Sequence, residues 1–414
     1  VLQAAKEDGG TMKNAVIVSI LALLAAVSTA GAGGEIYGTI ELRDGRTLTG
    51  PIRWDMNENF WGDRLDATKT ERLTGEEGKQ GFTFSLFGWE IIDFSEGGSG
   101  TRSISIPFGH LSSLEPLPGQ KALLTLKNGD EIEVRASSTD LGHANRGVII
   151  DDADAGRQDI SWWALRRVEF GEGPGKGRDK ERLYGTVVTK GDSFTGYLVW
   201  DRDEAMIEDI LDGDDEEGTR HKIPFGDIKE VERLDDGSRV RLTSGEVMEL
   251  DGTNDVDNDH RGMIVTLDGV GSAEIDWWNV LKVTFSDPPD SPAYGRFDGG
   301  RRLRGVVHTT AGASYRGMIV WDLDEAYTWE TLDGSIDGAD FAVTFENIKS
   351  ITPRGYESSE VRLRNDEVLV LSGSNDVDGS NDGLYIIPDP KEGQSGETVS
   401  IALEWDELRS VEFD

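Results

Sequence analysis

From about residue 35 onward, apolar and polar residues alternate in runs of four to eight, the period of a half-buried β-strand, while helical periodicity is weak. The stretches "ALLTLKNGDEIEV", "RVRLTSGEVMEL" and "EVRLRNDEVLVL" each place such alternation on both sides of a short turn, as a hairpin does. β-Branched and aromatic residues fill the apolar positions, and the 52 glycines are spread along the chain where many short strands need many turns. The pattern predicts an all-β protein.

The alternating runs recur in a longer order. "IYGTIELRDGRTLTGPIRWDMNENF", "LYGTVVTKGDSFTGYLVWDRDEA" and "LRGVVHTTAGASYRGMIVWDLDEA" each give a strand, a glycine, and a second strand ending in Trp-Asp. Each is followed by a closing strand: "ISIPFGHLSSLEPL", "HKIPFGDIKEVERL" or "FAVTFENIKSITPR". Later come the hairpins above, a polar loop, and "ISWWALRRVEF", "IDWWNVLKVTF" or "LEWDELRSVEF". Asp140 to Gly147, Asp255 to Gly262 and Asp376 to Gly383 are each seven apart. Ile160 to Phe170, Ile275 to Phe285 and Leu403 to Phe413 are each ten apart. Two registers kept through three copies predict three tandem repeats, each of two unlike halves. The repeats are placed at 34–172, with an insertion at about 62–100, at 178–287 and at 293–414. The Gly- and Pro-rich segments "GEGPGKGRDKE" and "SDPPDSPAYGRFDGG" separate them.

The glycine-punctuated hairpin followed by a short turn such as "PFGDI" or "SWWAL" and a last strand resembles the SH3-like or Sm-like small barrel. That resemblance implies two small barrels per repeat, with closed sheets that hide their edges, and says little about activity. A six-bladed β-propeller with one blade per half is the alternative. Alternation of two half types counts against it, because propeller blades are all alike.

The first 32 residues read as an upstream extension followed by a cleaved signal peptide. Met12 and Lys13 precede an apolar run from Ala15 to Val27, then an A-x-A site at Ala30-Gly31-Ala32. That run is too short to span a bilayer, and no later stretch is apolar enough to do so. An exported protein, periplasmic or extracellular, is expected. It contains no cysteine, so packing and backbone pairing alone must stabilise it. The formal charge of −37 repels nucleic acid and anionic lipid, and favours cations and basic partners.

Three sets of residues carry candidate chemistry. Trp54-Asp55, Trp200-Asp201 and Trp321-Asp322 close the second strand of each repeat, with Glu58, Glu204 and Glu325 just beyond. They read as scaffold: an indole filling the end of a sheet and a carboxylate accepting turn N–H groups. In the paired aromatics Trp162-Trp163 and Trp277-Trp278, matched by Trp405-Asp406, the first position reads as core and the second as outward-facing. Trp163 and Trp278 are therefore candidate ligand-binding aromatics. Trp89, with Glu90, Asp93 and Glu96 in the insertion, is a third. The loop "DVDND" sets Asp255, Asp257 and Asp259 in alternation, like a calcium-binding D-x-D-x-D, but His260 and Thr266 stand where an EF-hand needs Gly and Glu. No cofactor is expected, and calcium is the one candidate ion. The loop positions between Asp255 and Gly262 are read as free of any structural duty.

Five histidines share no repeat position, and neither H-E-x-x-H nor G-x-S-x-G occurs. The expectation is a non-enzymatic binding or structural protein at the cell envelope, with a glycan or protein partner. The competing reading is a secreted carbohydrate-active or metal-dependent hydrolase using the insertion.

Overall fold

A computed structural model describes residues 34–69, 82–86, 89–93, 102–174, 181–389 and 400–414, the segments 82–86 and 89–93 through their backbone. The proposed signal peptide lies outside the described residues. The protein is all-β, built of large antiparallel sheets joined by turns and single turns of 3₁₀ helix. Among the described residues, no helix is long and apolar enough to cross a membrane.

The first stretch contributes twelve strands. They are β1 (Tyr37–Leu42), β2 (Thr47–Trp54), β3 (Arg64–Lys69), β4 (Phe82–Leu86), β5 (Trp89–Asp93), β6 (Arg102–Pro107), β7 (Leu111–Leu117), β8 (Lys121–Leu126), β9 (Glu131–Arg135), β10 (Val148–Asp152), β11 (Gly156–Ile160) and β12 (Leu165–Phe170). Burial alternates along β1, β2 and β8, so one face of each of these strands feeds the core. β4 and β5 form a separate hairpin inside the insertion. The other ten make one sheet in the order β11-β10-β2-β1-β12-β7-β8-β9-β3-β6. Residues 184–285 and 304–413 each hold ten strands whose neighbours follow that same order. In 184–285 the junction that corresponds to β9–β3 narrows to the bridge Asp214↔Asp251.

The expectation of two small closed barrels per repeat is corrected by this order. The sheets are not closed, and strands of the two halves interleave within them: β1 and β2 lie between β10 and β12. β2 is long enough to serve both halves, pairing Thr47–Pro51 with β1 and Ile52–Trp54 with β10. No half forms a sheet of its own, so the propeller alternative falls with the barrels. Glycine makes the interleaving sterically feasible. A Cβ at Gly38 would lie 2.3 Å from the Glu169 carbonyl oxygen of β12, and one at Gly50 would lie 2.1 Å from that of Asp151 in β10. Gly185 and Gly196, then Gly305 and Gly317, meet the matching carbonyls in the later stretches.

The second and third stretches are joined edge to edge. Strand Gly271–Ile275 pairs along its length with Ala339–Thr344, merging the sheets and their apolar faces into one core. The first stretch meets the third through side chains. Val320, Ala326, Tyr327, Trp329 and Tyr385 complete its core. Lys69 of β3 is buried against Glu330 and the Asp324 carbonyl. The Pro-rich segment between the second and third stretches is packed rather than free. The Lys127 ammonium donates to the carbonyls of Tyr294 (2.7 Å) and Phe297 (2.5 Å), and Asn128 donates to that of Gly300.

Candidate functional site

The recurrent Trp-Asp and the recurrent loop aspartate, far apart in sequence, meet in space. At the end of β2, Asp55 and Met56 both take positive φ (44° and 70°). The Asn57 N–H bonds the Trp54 carbonyl across them, as in a type I′ turn. Asp201-Arg202 and Asp322-Leu323 do the same. The turn brings Glu58, Glu204 or Glu325 back opposite its tryptophan through a bridge pair. Each of these indoles is fully buried. Its N–H donates to a loop carbonyl: Trp54 to Asp140 (2.9 Å), Trp200 to Asp255 (3.0 Å) and Trp321 to Asp376 (3.1 Å). Each packs on a matching pair of rings, Phe108 and Trp162, Phe225 and Trp277, or Phe345 and Trp405, and Trp200 meets His260 and Phe285 as well.

The loop aspartate then turns its carboxylate onto the third strand. Asp140 accepts from the Asp66 N–H, Asp255 from Asp212 (2.7 Å) and Asp376 from Asp333 (2.7 Å). Asp55, Asp201 and Asp322 each accept the backbone N–H of the residue two before the next strand begins, that of Arg146, Arg261 and Asp382. The Arg146 and Arg261 side chains add ion pairs to Asp55 and Asp201 (3.2 and 2.8 Å). Asn145, His260 and Asn381 stand at one position and accept the N–H of Gly147, Gly262 and Gly383. The expectation that the residues between Asp255 and Gly262 have no structural duty is therefore corrected: His260 caps the Gly262 N–H and Arg261 holds Asp201.

The outcome, in every stretch, is two buried aspartates beside one glutamate. In the first, the ligand atoms of Asp55, Glu58 and Asp140 all lie within 4.8 Å of one another. The glutamate is the odd member. Oε2 of Glu58, Glu204 and Glu325 is shielded from solvent and has no hydrogen-bond partner. Leaving a buried acceptor unsatisfied costs about 1–3 kcal/mol, and more for a charged one. Burial, reinforced by the neighbouring aspartates, pushes Glu58 up to about 9 and Glu204 up to about 8. Glu325 is raised well above the usual carboxylate range for the same reasons. Burial also pushes Asp140 up to about 7 and Asp376 up to about 8, although the strand N–H each accepts opposes it. Such a cluster can hold a proton or a hard cation.

The residues singled out from sequence fall in several places. Asp255 belongs to the second cluster. Asp257 instead accepts the Asp259 N–H within its own loop (2.8 Å), and Asp259 is exposed, so the three do not converge. Trp163 and Trp278 sit at the same place in their 3₁₀ turns, 59% and 54% exposed, beside the buried Trp162 and Trp277. The Arg233 guanidinium lies over the Trp278 ring at 5.6 Å. Asp406, their counterpart, is exposed as well. Trp89 opens β5, and Glu96 lies outside the described residues. The glutamates were noted in sequence only as charge beyond a turn. A usable signal was the 55-residue separation shared by Trp200–Asp255 and Trp321–Asp376. Comparison with family models, with curated proteins and with solved structures returned no match.

Proposed function

We propose that this chain is an exported, non-enzymatic protein of three tandem β-modules that binds or structures material at the cell envelope, with the outward-facing tryptophans as its contact residues. The observation that carries this reading is the equivalence of residue duties. In each stretch the same tryptophan, two aspartates and glutamate occupy the same turn and loop, and the neighbouring 3₁₀ turn offers a solvent-facing side chain. Duties kept at three places suit a scaffold presenting several similar surfaces. Catalysis, by contrast, asks for one constellation of unlike groups. An exposed indole beside a guanidinium matches a sugar ring, whose apolar face stacks while its hydroxyls take hydrogen bonds.

A glycan array and an envelope pull-down with the full chain, read beside Trp163→Ala, Trp278→Ala and the double variant, test the proposal. The expected result is at least tenfold weaker capture by the double variant, with unchanged thermal stability. Equal capture by all variants would remove the tryptophans from the binding role. Hydrolysis of an envelope glycan, abolished by deleting 70–101 from a chain that still folds, would establish the enzyme reading in its place.

A further inference from the structure

We propose that Trp163 and Trp278 mark two binding sites for an acidic polysaccharide, with Arg43 taking the sugar's negative group at the first and Arg233 and Lys190 taking it at the second. The inference rests on the reading of these tryptophans as contact residues and names the chemistry of what they contact.

One position beside the 3₁₀ turn is decisive. The residue that follows the first strand of each stretch gives its backbone N–H to the third residue of that turn: Arg43 to the Ala164 carbonyl (2.9 Å), Lys190 to that of Asn279 (3.1 Å) and Thr310 to that of Glu407 (2.9 Å). The three are therefore equivalent in space as well as in order. The Arg43 side chain adds a bond from Nε to the Trp163 carbonyl (3.1 Å), and the Thr310 hydroxyl donates to the matching Asp406 carbonyl (3.4 Å). A neutral hydroxyl thus holds the turn as the guanidinium does, so the backbone does not call for a charge there. The charge follows the outward-facing residue instead. Beside Trp163 and Trp278 the position carries Arg or Lys, and beside Asp406 it carries Thr. Arg and Lys differ in headgroup geometry and share a positive charge. Were that charge kept to pair with the protein itself, Asp406 would be the place for it, and there it is missing.

The second site has a further cation. Arg233 is fixed by bonds to the carbonyls of Val280 (3.0 Å) and Leu234 (3.3 Å), and its guanidinium lies over the Trp278 ring at 5.6 Å. Among the described residues, Arg43, Lys190 and Arg233 make no ion pair, although the chain has 79 Asp and Glu against 42 Lys and Arg. A cation left without a carboxylate beside an exposed indole suits a ligand that brings a negative charge and a flat apolar face. A sugar ring bearing a carboxylate or sulfate has both. The net charge of −37 does not forbid it. Exposed charges more than about 8 Å away are largely screened at physiological salt, so the nearest cations decide.

The test uses the full chain at about 0.15 M ionic strength. The probes are immobilised polygalacturonate and dextran sulfate, each beside a neutral counterpart, methyl-esterified polygalacturonate and dextran. The wild type should bind at least one acidic polymer tenfold tighter than its counterpart, and which one separates carboxylate from sulfate. Arg43→Gln, Lys190→Gln and Arg233→Gln together should bind acidic and neutral polymers alike, while Arg43→Lys should keep the preference. Arg296→Gln with Arg354→Gln, which removes two exposed cations elsewhere, should change nothing. Thermal melts check that each variant folds. Equal affinity of the wild type for acidic and neutral polymers, an unchanged preference in the triple variant, or the same loss in the Arg296 and Arg354 variant would each overturn the proposal. If capture then still fails on removing both tryptophans, the wider reading stands without it. No capture of any polymer also overturns the proposal, and no capture of any envelope material takes the wider reading with it.

Discussion

The tryptophan that ends each second strand combines two tasks in one side chain, filling the core and holding the loop that carries an aspartate. Trp321→Ala would empty a fully buried site and free the Asp376 carbonyl. Large-to-small changes of this kind cost about 3–5 kcal/mol. The expected outcome is a loss at the upper end of that range, read by denaturant titration. Asp376→Ala tests the partner. It leaves the Asp333 N–H without its acceptor, for about 1–3 kcal/mol. Measured in chelator, this separates the aspartate's capping duty from any role with a cation. The two losses should not add, since both act through one loop.

At the scale of the element, the decisive feature is the glycine pair that lets strands of the two halves pass within contact distance. Gly317→Val would drive a side chain into the Ile387 carbonyl, which a Cβ there would approach to 2.0 Å. The third sheet should then fail to form, seen as loss of the β signal in circular dichroism or as insoluble expression. The strand edge is equally particular. Gly271 takes φ +147°, and a Cβ there would lie 2.1 Å from the Ala342 carbonyl oxygen. Its neighbours Ser272 to Ile275 pair with Ala339 to Ala342, an edge that would otherwise invite another chain.

For the whole molecule, cohesion between the first and third stretches rests on a buried ion pair and a packed linker. Lys69 and Glu330 are both about 6% exposed, and Glu330 also caps the N–H groups of Ala326 and Tyr327. Lys69→Met would leave that carboxylate buried and uncompensated, at about 3–5 kcal/mol. His110 lies at the same junction, edge-on to Phe297 and near Trp329, its Nδ1 making no hydrogen bond and standing 3.9 Å from the Asp298 carboxylate. Burial pushes its imidazole down to about 4; Asp298 opposes this, and Arg64 and Lys127 add to it. The folded value lies below the unfolded one of about 6.5, so folding disfavours the proton. The contribution is intact above pH ~6.5 and is lost as pH falls from there through 4, by up to about 3 kcal/mol. Thermal melts from pH 7.5 to 4.5 should therefore fall less steeply for His110→Gln than for the wild type.

What the amino-acid order determined alone is the strand content, the turns, the burial of the first tryptophan of each pair and the exposure of the second. These follow from alternation, from glycine and from substitution by aspartate at a matching position, all local quantities. Tertiary structure alone decided which strands became neighbours. Pairing is satisfied as well by β12 against β1 as by a barrel closed on itself, and the choice between them lies in close approaches over 100 residues apart. The carboxylate clusters were hidden for the same reason. Each joins a turn to a loop at least 50 residues away, and only folding brings their like charges into one buried space.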